Sequence, residues 1–241
     1  MRDVLSDIVK QSIGLIEVVK ITGTDSETRV QGCDKDKTVF IEGNLSSAVS
    51  EFSGEFGLTN LSLLRGLLDF TTYRTESATF SVKRRAHKDT TTVEAFEFRD
   101  GKGAGADFRC MGPERVPEQA EIKNIPWDVS FVPNKGKIAE FQQLSSLYGE
   151  ISKNFGVEVK DGNLLFSFGG EGSSMHTGSM VFEENVQGEL NAGLQWPAAR
   201  FLQVLKLAGG EPTVRVTKRG VLAIEVTTET GTYKYYLRAI R

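Results

Sequence analysis

One unit occurs twice in this sequence, and no other feature narrows the possible folds as far. From Trp196 to Arg241 the chain opens WPAARFLQVLKLAGG, where Phe201, Leu202, Val204, Leu205 and Ala208 form an apolar stripe at helical spacing. Pro197 sits where a first helical turn tolerates a missing N–H, and Gly209-Gly210 supply a stop. Three alternating runs follow, TVRVTKR, VLAIEVT and YKYYLRAI, parted by Gly220 and the Glu229-Thr230-Gly231 turn. The stretch from Leu58 to Cys110 repeats this plan. Its helix is LTNLSLLRGLLDF, with Leu61, Leu64, Leu67 and Leu68 on one stripe, and its strands are ATFSVKRR, TTVEAFEFRD and GADFRCM. Each strand alternates apolar and polar residues, so each sheet buries one face. A repeat on this scale constrains the architecture before any local motif does.

The rest of the chain extends the repeat to whole domains. Asp3 to Ile13 reads as a helix with Val4, Leu5, Ile8 and Val9 inward, followed by strands LIEVVKITG, ETRVQGCD and TVFIEGN and a strand-like Ser46–Gly57. Pro113, Pro117 and Pro126 then break all periodicity, which marks an extended connector. Beyond it come a strand, DVSFVP, and a helix, KGKIAEFQQLSSLYGEISKN, with Ile138, Phe141, Leu144, Leu147 and Ile151 inward. Strands FGVEVKDG, NLLFSFGG and SMVFEENV lead to the final unit. The expectation is an α+β chain of two similar domains, 1–110 and 128–241, each with two helices on antiparallel sheets, joined by a connector over 111–127.

Hydrophobic residues at 39% and charged residues at 25% place the chain among soluble globular proteins of the cytoplasm, with a core that needs no staples. Cys33 and Cys110 lack metal-like spacing and suggest no disulfide framework. The first residues do not resemble a signal peptide, and no run reaches the roughly 18 apolar residues of a membrane span. The net charge of −3 excludes a generic nucleic-acid coat. Its distribution is uneven. The four helical segments carry eight cations (Arg2, Lys10, Arg65, Lys135, Lys137, Lys153, Arg200, Lys206) against Asp3, Asp7, Asp69, Glu140 and Glu150, about +3, which leaves about −6 elsewhere.

Local motifs add no chemistry. GKGAG (101–105) and GGEGSS (169–174) lack phosphate-loop spacing and read as hairpin tips. His87 and His176 stand alone, the carboxylates are scattered, and the run KRRAHK (83–88) reads as solvated or as a phosphate contact. No catalytic, cofactor or metal site is legible.

Taken together, the doubled unit, the Val116-Pro117-Glu118-Gln119 connector, the AARFL of the last helix and the terminal Tyr235-Tyr236-Leu237-Arg238-Ala239-Ile240 resemble the DNA polymerase sliding clamps. The likeness is to the two-domain type found in T-even tailed phages and in proliferating cell nuclear antigen. The glycine-rich hairpins and the missing acidic tail after Arg241 point to the phage type, and so to the host-cell cytoplasm.

That resemblance implies a DNA clamp fold in which chains close into a trimeric ring with helices lining the hole, a non-catalytic processivity factor without cofactor. It implies double-stranded DNA inside the ring, a polymerase C-terminal peptide and an ATP-dependent clamp loader as partners, and no membrane. Lys10, Arg65, Lys135, Lys137, Lys153, Arg200 and Lys206 would face the duplex. Val39, Ile41, Val116, Pro117, Ile122, Tyr236 and Leu237 would form the partner-peptide pocket. Ring closure would join the ATFSVKRR–VEAFEF sheet of one chain to NLLFSFGG–SMVFEEN of the next, with Phe166 and Val181 at the contact. Competing readings are a β-rich trimeric virion protein and a hydrolase or sugar-binding β protein.

Overall fold

The computed structural model describes residues 1–87, 90–119, 122, 124–170 and 176–240. Lys88 of the basic run, residues 171–174 of GGEGSS, residues 120, 121 and 123 of the connector, and Arg241 lie outside the described residues. The chain divides into two compact units, Met1–Ala120 with Glu229–Tyr233, and Glu121–Thr228 with Lys234–Arg241.

In the first unit, helix α1 (Arg2–Ser12) precedes strands β1 (Val19–Gly23), β2 (Thr28–Cys33), β3 (Val39–Leu45) and β4 (Gly54–Leu58). Helix α2 (Leu61–Asp69) precedes β5 (Thr79–His87), β6 (Thr90–Arg99) and β7 (Gly105–Arg109). The first four strands lie in the order β4-β1-β2-β3 and the last three as β5-β6-β7. The run 46–57 is only partly strand, since a 3-10 turn over Ser50–Phe52 separates it from β4.

The second unit runs β8 (Val129–Phe131), α3 (Lys135–Leu147), β9 (Asn154–Lys160), β10 (Asn163–Gly169), β11 (Thr177–Glu183) and β12 (Gln195–Pro197). It continues through α4 (Ala198–Leu205), β13 (Thr213–Thr217), β14 (Val221–Thr227) and β15 (Gly231–Arg238), whose first three residues group with the first unit. Its sheets order as β11-β10-β9-β12 and β15-β14-β13-β8. In both units, therefore, a helix is followed by a hairpin-linked triplet whose fourth strand returns beside the first, then by a second helix and a meander. The repetition lies in topology as well as in pattern.

Phenylalanines fill the space between the sheets. In the first unit Phe56 of β4 meets Phe96 of β6 edge-on at 6.1 Å, and Phe52 meets both. Phe80, Phe98 and Phe108 extend the cluster along β5, β6 and β7, with Phe80 opposite Phe98 and Phe96 opposite Phe108 in register. In the second unit Phe141 of α3 and Phe201 of α4 pack on Phe155 and Phe166, and Phe131 of β8 reaches Phe182 at 5.6 Å. Beyond the area each ring buries, such pairs contribute about 0.5–1.5 kcal/mol apiece.

Three expectations change. The stripe of α3 does not run inward along its length: Phe141 is fully buried, but Leu147 is 74% and Ile151 37% exposed. Three-residue steps drift by about 60° on a helix, so Leu147 stands about 120° round from Phe141, and Ile151 lies past the helix end. Ala208 likewise falls beyond α4, which ends at Leu205. Phe166 is no contact residue: it lies on β10, inside its sheet, at 0% exposure among Phe141, Phe155, Phe182 and Phe201.

Phe166→Glu should therefore unfold the second unit, since it buries an unpaired carboxylate in place of an aromatic ring, a loss of several kcal/mol. Val181→Glu, on the edge strand β11, should keep a native circular dichroism spectrum and melt within a few degrees of the parent. A cooperative native melt for Phe166→Glu would contradict this core assignment.

Candidate nucleic-acid interface

The helices present their cations in two electrostatic settings. Lys10 lies in the last turn of α1 and Lys206 at the C-cap of α4, where the helix dipole itself favours positive charge. Lys135 and Lys137 are in the first turn of α3, which contains no acid, and there the dipole opposes them by about 0.3–1 kcal/mol each. Asn134 caps that end, its side chain accepting from the Gly136 N–H at 2.7 Å. Lys137 offsets its position by pairing with Glu140 at 3.1 Å, whereas Lys135 makes no ion pair among the described residues. An anion bound at this end would stabilise both.

The remaining helix cations differ in availability. Arg65 pairs loosely with Asp69 at 3.7 Å, and both are well exposed. Arg200 is half-buried and donates to Gln203 Oε1 at 3.1 Å. Lys153 is exposed, but on the segment between α3 and β9 rather than on the helix. Lys10, Lys135, Lys153 and Lys206 are exposed and make no ion pair among the described residues.

Arg2 belongs to the fold. Its guanidinium donates to the Leu68 carbonyl at 2.7 Å and to that of Tyr73, and it lies about 6 Å from the Phe80 and Phe98 ring centres. It thus satisfies a terminal carbonyl of α2. Desolvation, then the charge of Arg74, lowers its pKa. Asp7 of α1 is similarly engaged, accepting from Thr230 Oγ1 and from Gln11 Nε2.

The basic run on β5 is also committed within the fold. Lys83 pairs with Glu94 at 3.3 Å and Arg85 with Glu114 at 3.1 Å. Arg84 donates to the carbonyls of Glu51, Ser53 and Thr91 at 2.6–3.0 Å, beside a surface concavity of about 590 Å³. The glycine-rich tip 101–105 cradles no ligand, because its Lys102 and Ala104 amides already donate to Asp100 Oδ1 at 2.7 and 2.9 Å. These bonds, the Lys102 amide first, hold the Asp100 carboxyl below its ordinary range.

Burial pushes the Cys110 thiol up to about 12, so it is a poor nucleophile at neutral pH. His87 Nδ1 is 4.0 Å from Glu114 Oε2, and His176 is exposed. Among the described residues no group of three or more His, Cys, Asp or Glu could hold a metal. No helix among them is long and apolar enough to cross a membrane.

The seven expected peptide-pocket residues fall into two sets. Val39 and Ile41 alternate on β3 at 1% exposure and belong to the core of the first unit. Adjacent strand residues point to opposite faces, so Tyr236 and Leu237 are separated: Leu237 is 1% exposed and Tyr236 faces outward, half-buried. Val116 is half-buried beside β4, where a Cβ on Gly57 would come within 2.9 Å of it, and paired Gly57–Met111 backbone bonds at 2.8 and 2.9 Å anchor the connector there. Pro117 is exposed and Ile122 half-buried. Val39, Ile41, Val116 and Pro117 belong to the first unit, and Ile122, Tyr236 and Leu237 to the second.

The paired helix-and-sheet topology is that of the DNA clamps. Comparison with solved structures shows it directly. The chain matches proliferating cell nuclear antigen from Thermococcus kodakaraensis with a TM-score of 0.68 at 12% identity, over 100% of this chain and 97% of that one. It matches A. fulgidus proliferating cell nuclear antigen, solved with the C-terminal region of FEN-1 bound, at 0.69 and 10%, over 100% and 96%. The fold is thus a full-length clamp fold. No protein-family model and no curated protein sequence matches the chain.

Lys135→Glu should raise the melting temperature by about 1–4 °C, by relieving the first turn of α3. A melt lowered by the substitution would show that the dipole does not oppose Lys135.

Proposed function

We propose that this chain is a sliding clamp, a processivity factor that encircles duplex DNA as a homotrimer and tethers a replicative polymerase without catalysing a reaction itself. The observation that carries this reading is the clamp fold over the full length of the chain. The assignment to the tailed-phage type rests on the sequence resemblance. Loading by an ATP-dependent partner follows from the same resemblance.

Sheet edges and exposed apolar residues support the assembly. β5 ends one sheet of the first unit, and nearby Phe70, 51% exposed, stacks through Tyr73 and Phe98 toward Phe80 of β5. β11 ends one sheet of the second unit. There Tyr148 donates its hydroxyl to the Thr177 carbonyl at 3.0 Å, placing the end of α3, with exposed Leu147 and Ile151, beside that edge. Open edges flanked by large apolar side chains suit a head-to-tail contact between β5 of one copy and β11 of the next, which closes by rotation.

Lys10, Lys135, Lys153 and Lys206 are the leading phosphate contacts, with Lys137, Arg65 and Arg200 secondary. Capture of partner tails, as A. fulgidus proliferating cell nuclear antigen binds the C-terminal region of FEN-1, is assigned to the accessible positions Val116 and Pro117 in the first unit and Ile122 and Tyr236 in the second.

Replacing Lys10, Lys135, Lys153 and Lys206 with Glu should leave the oligomer intact and weaken duplex binding. The plot of log affinity against log salt should flatten by about 0.9 for each phosphate that is no longer neutralised. An unchanged affinity and slope would make these lysines an ordinary solvated surface.

A further inference from the structure

On their outward side, strands β13, β14 and β15 carry more cations than carboxylates, although the whole chain is −3. Along β15, Tyr235 and Leu237 enter the core, and Lys234, Tyr236 and Arg238 take the alternate face. Arg215 of β13 stands opposite Ala223 of β14 on the same side. A single carboxylate, Glu225, serves two of these cations, Arg215 at 3.0 Å and Lys234 at 3.6 Å.

At the far end of the ladder the Ala239 N–H donates to the Gly220 carbonyl at 2.8 Å, which brings the turn carrying Lys218 and Arg219 beside Arg238. Lys218 reaches Asp128 at 3.6 Å, while Arg219 and Arg238 are exposed and make no ion pair among the described residues. On β13, β14, β15 and the turn between β13 and β14, five cations therefore stand against two carboxylates that pair with them, Glu225 and Asp128.

The spacing suits an extended peptide. Lys234, Tyr236 and Arg238 recur every second residue, about 6.6 Å apart, which is also the repeat of same-side groups on an extended chain. An aromatic side chain between two cations, Tyr236 between Lys234 and Arg238, offers an apolar anchor flanked by charge.

We propose that this face selects acidic partner tails: an extended peptide lays an apolar side chain against Tyr236 while its carboxylates meet Arg238 and Arg219. This rests on the reading of Tyr236 as a peptide-capture position. Charges at such a rim act mainly on the rate of encounter, so selectivity should reside in association and fade with salt.

The test uses three synthetic peptides of about twelve residues, each with a central Ile-Phe pair and flanked by aspartates, serines or lysines. The aspartate peptide should bind the intact protein at least about tenfold tighter than the lysine peptide at low salt, with the difference shrinking as salt rises. The double variant Arg219→Glu, Arg238→Glu should reverse that order, and the single variant Arg238→Gln should reduce the preference. Lys160→Glu, exposed elsewhere on the second unit, should leave it unchanged. Equal binding of all three peptides would overturn the charge selection and leave peptide capture standing. Binding of none would overturn both. Displacement of the aspartate peptide by a short DNA duplex, abolished in the double variant, would reassign the face to nucleic acid and overturn the proposal.

Discussion

The structure depends on phenylalanines packed between two sheets within each unit. Phe56 against Phe96 joins the sheets of the first unit, and Phe131 against Phe182 joins those of the second. Two helices complete the second core by adding Phe141 and Phe201 to the same cluster. Interiors packed in this way tolerate neither a void nor a charge. One face of each strand is consequently committed. What remains for partners is the opposite face, the sheet edges and the solvent side of the helices, and the candidate contacts lie in those places.

Electrostatics then sorts the surface. Many cations that looked available in the sequence are consumed internally. Arg2 holds the end of α2, Arg84 clamps three carbonyls, and Lys83 and Arg85 each have a carboxylate. Of the exposed lysines without an ion pair among the described residues, one, Lys135, sits where its own helix disfavours it. On the second unit, the outward cations of β15 are interleaved with Tyr236.

Element type and order were legible in the sequence because they depend on period. The α4 residues Phe201, Leu202, Val204 and Leu205 are all buried, as their stripe requires. In α3 the spacing misled: residues every three positions look like one face, yet the 60° drift carries Leu147 into solvent. The candidate sites were less readable, because a side chain's role depends on partners far away in sequence. Nothing local to Arg2 announces Leu68 and Tyr73, and nothing in KRRAHK announces Glu94 or Glu114. The pairing of Tyr236 with Leu237 in one pocket could have been refused from strand alternation alone. The exposed Leu147 and Ile151, missed because they were assigned to the core, are now the apolar groups beside an open edge.

Sedimentation equilibrium of the unmodified chain tests the central reading, that these edges close on further copies to form a ring. One species of three times the 26.5 kDa chain mass is expected across a wide concentration range, with no higher-order assembly, because a closed ring leaves no edge to extend. A stable monomer at concentrations of tens of micromolar, or an open-ended series of growing oligomers, would contradict it.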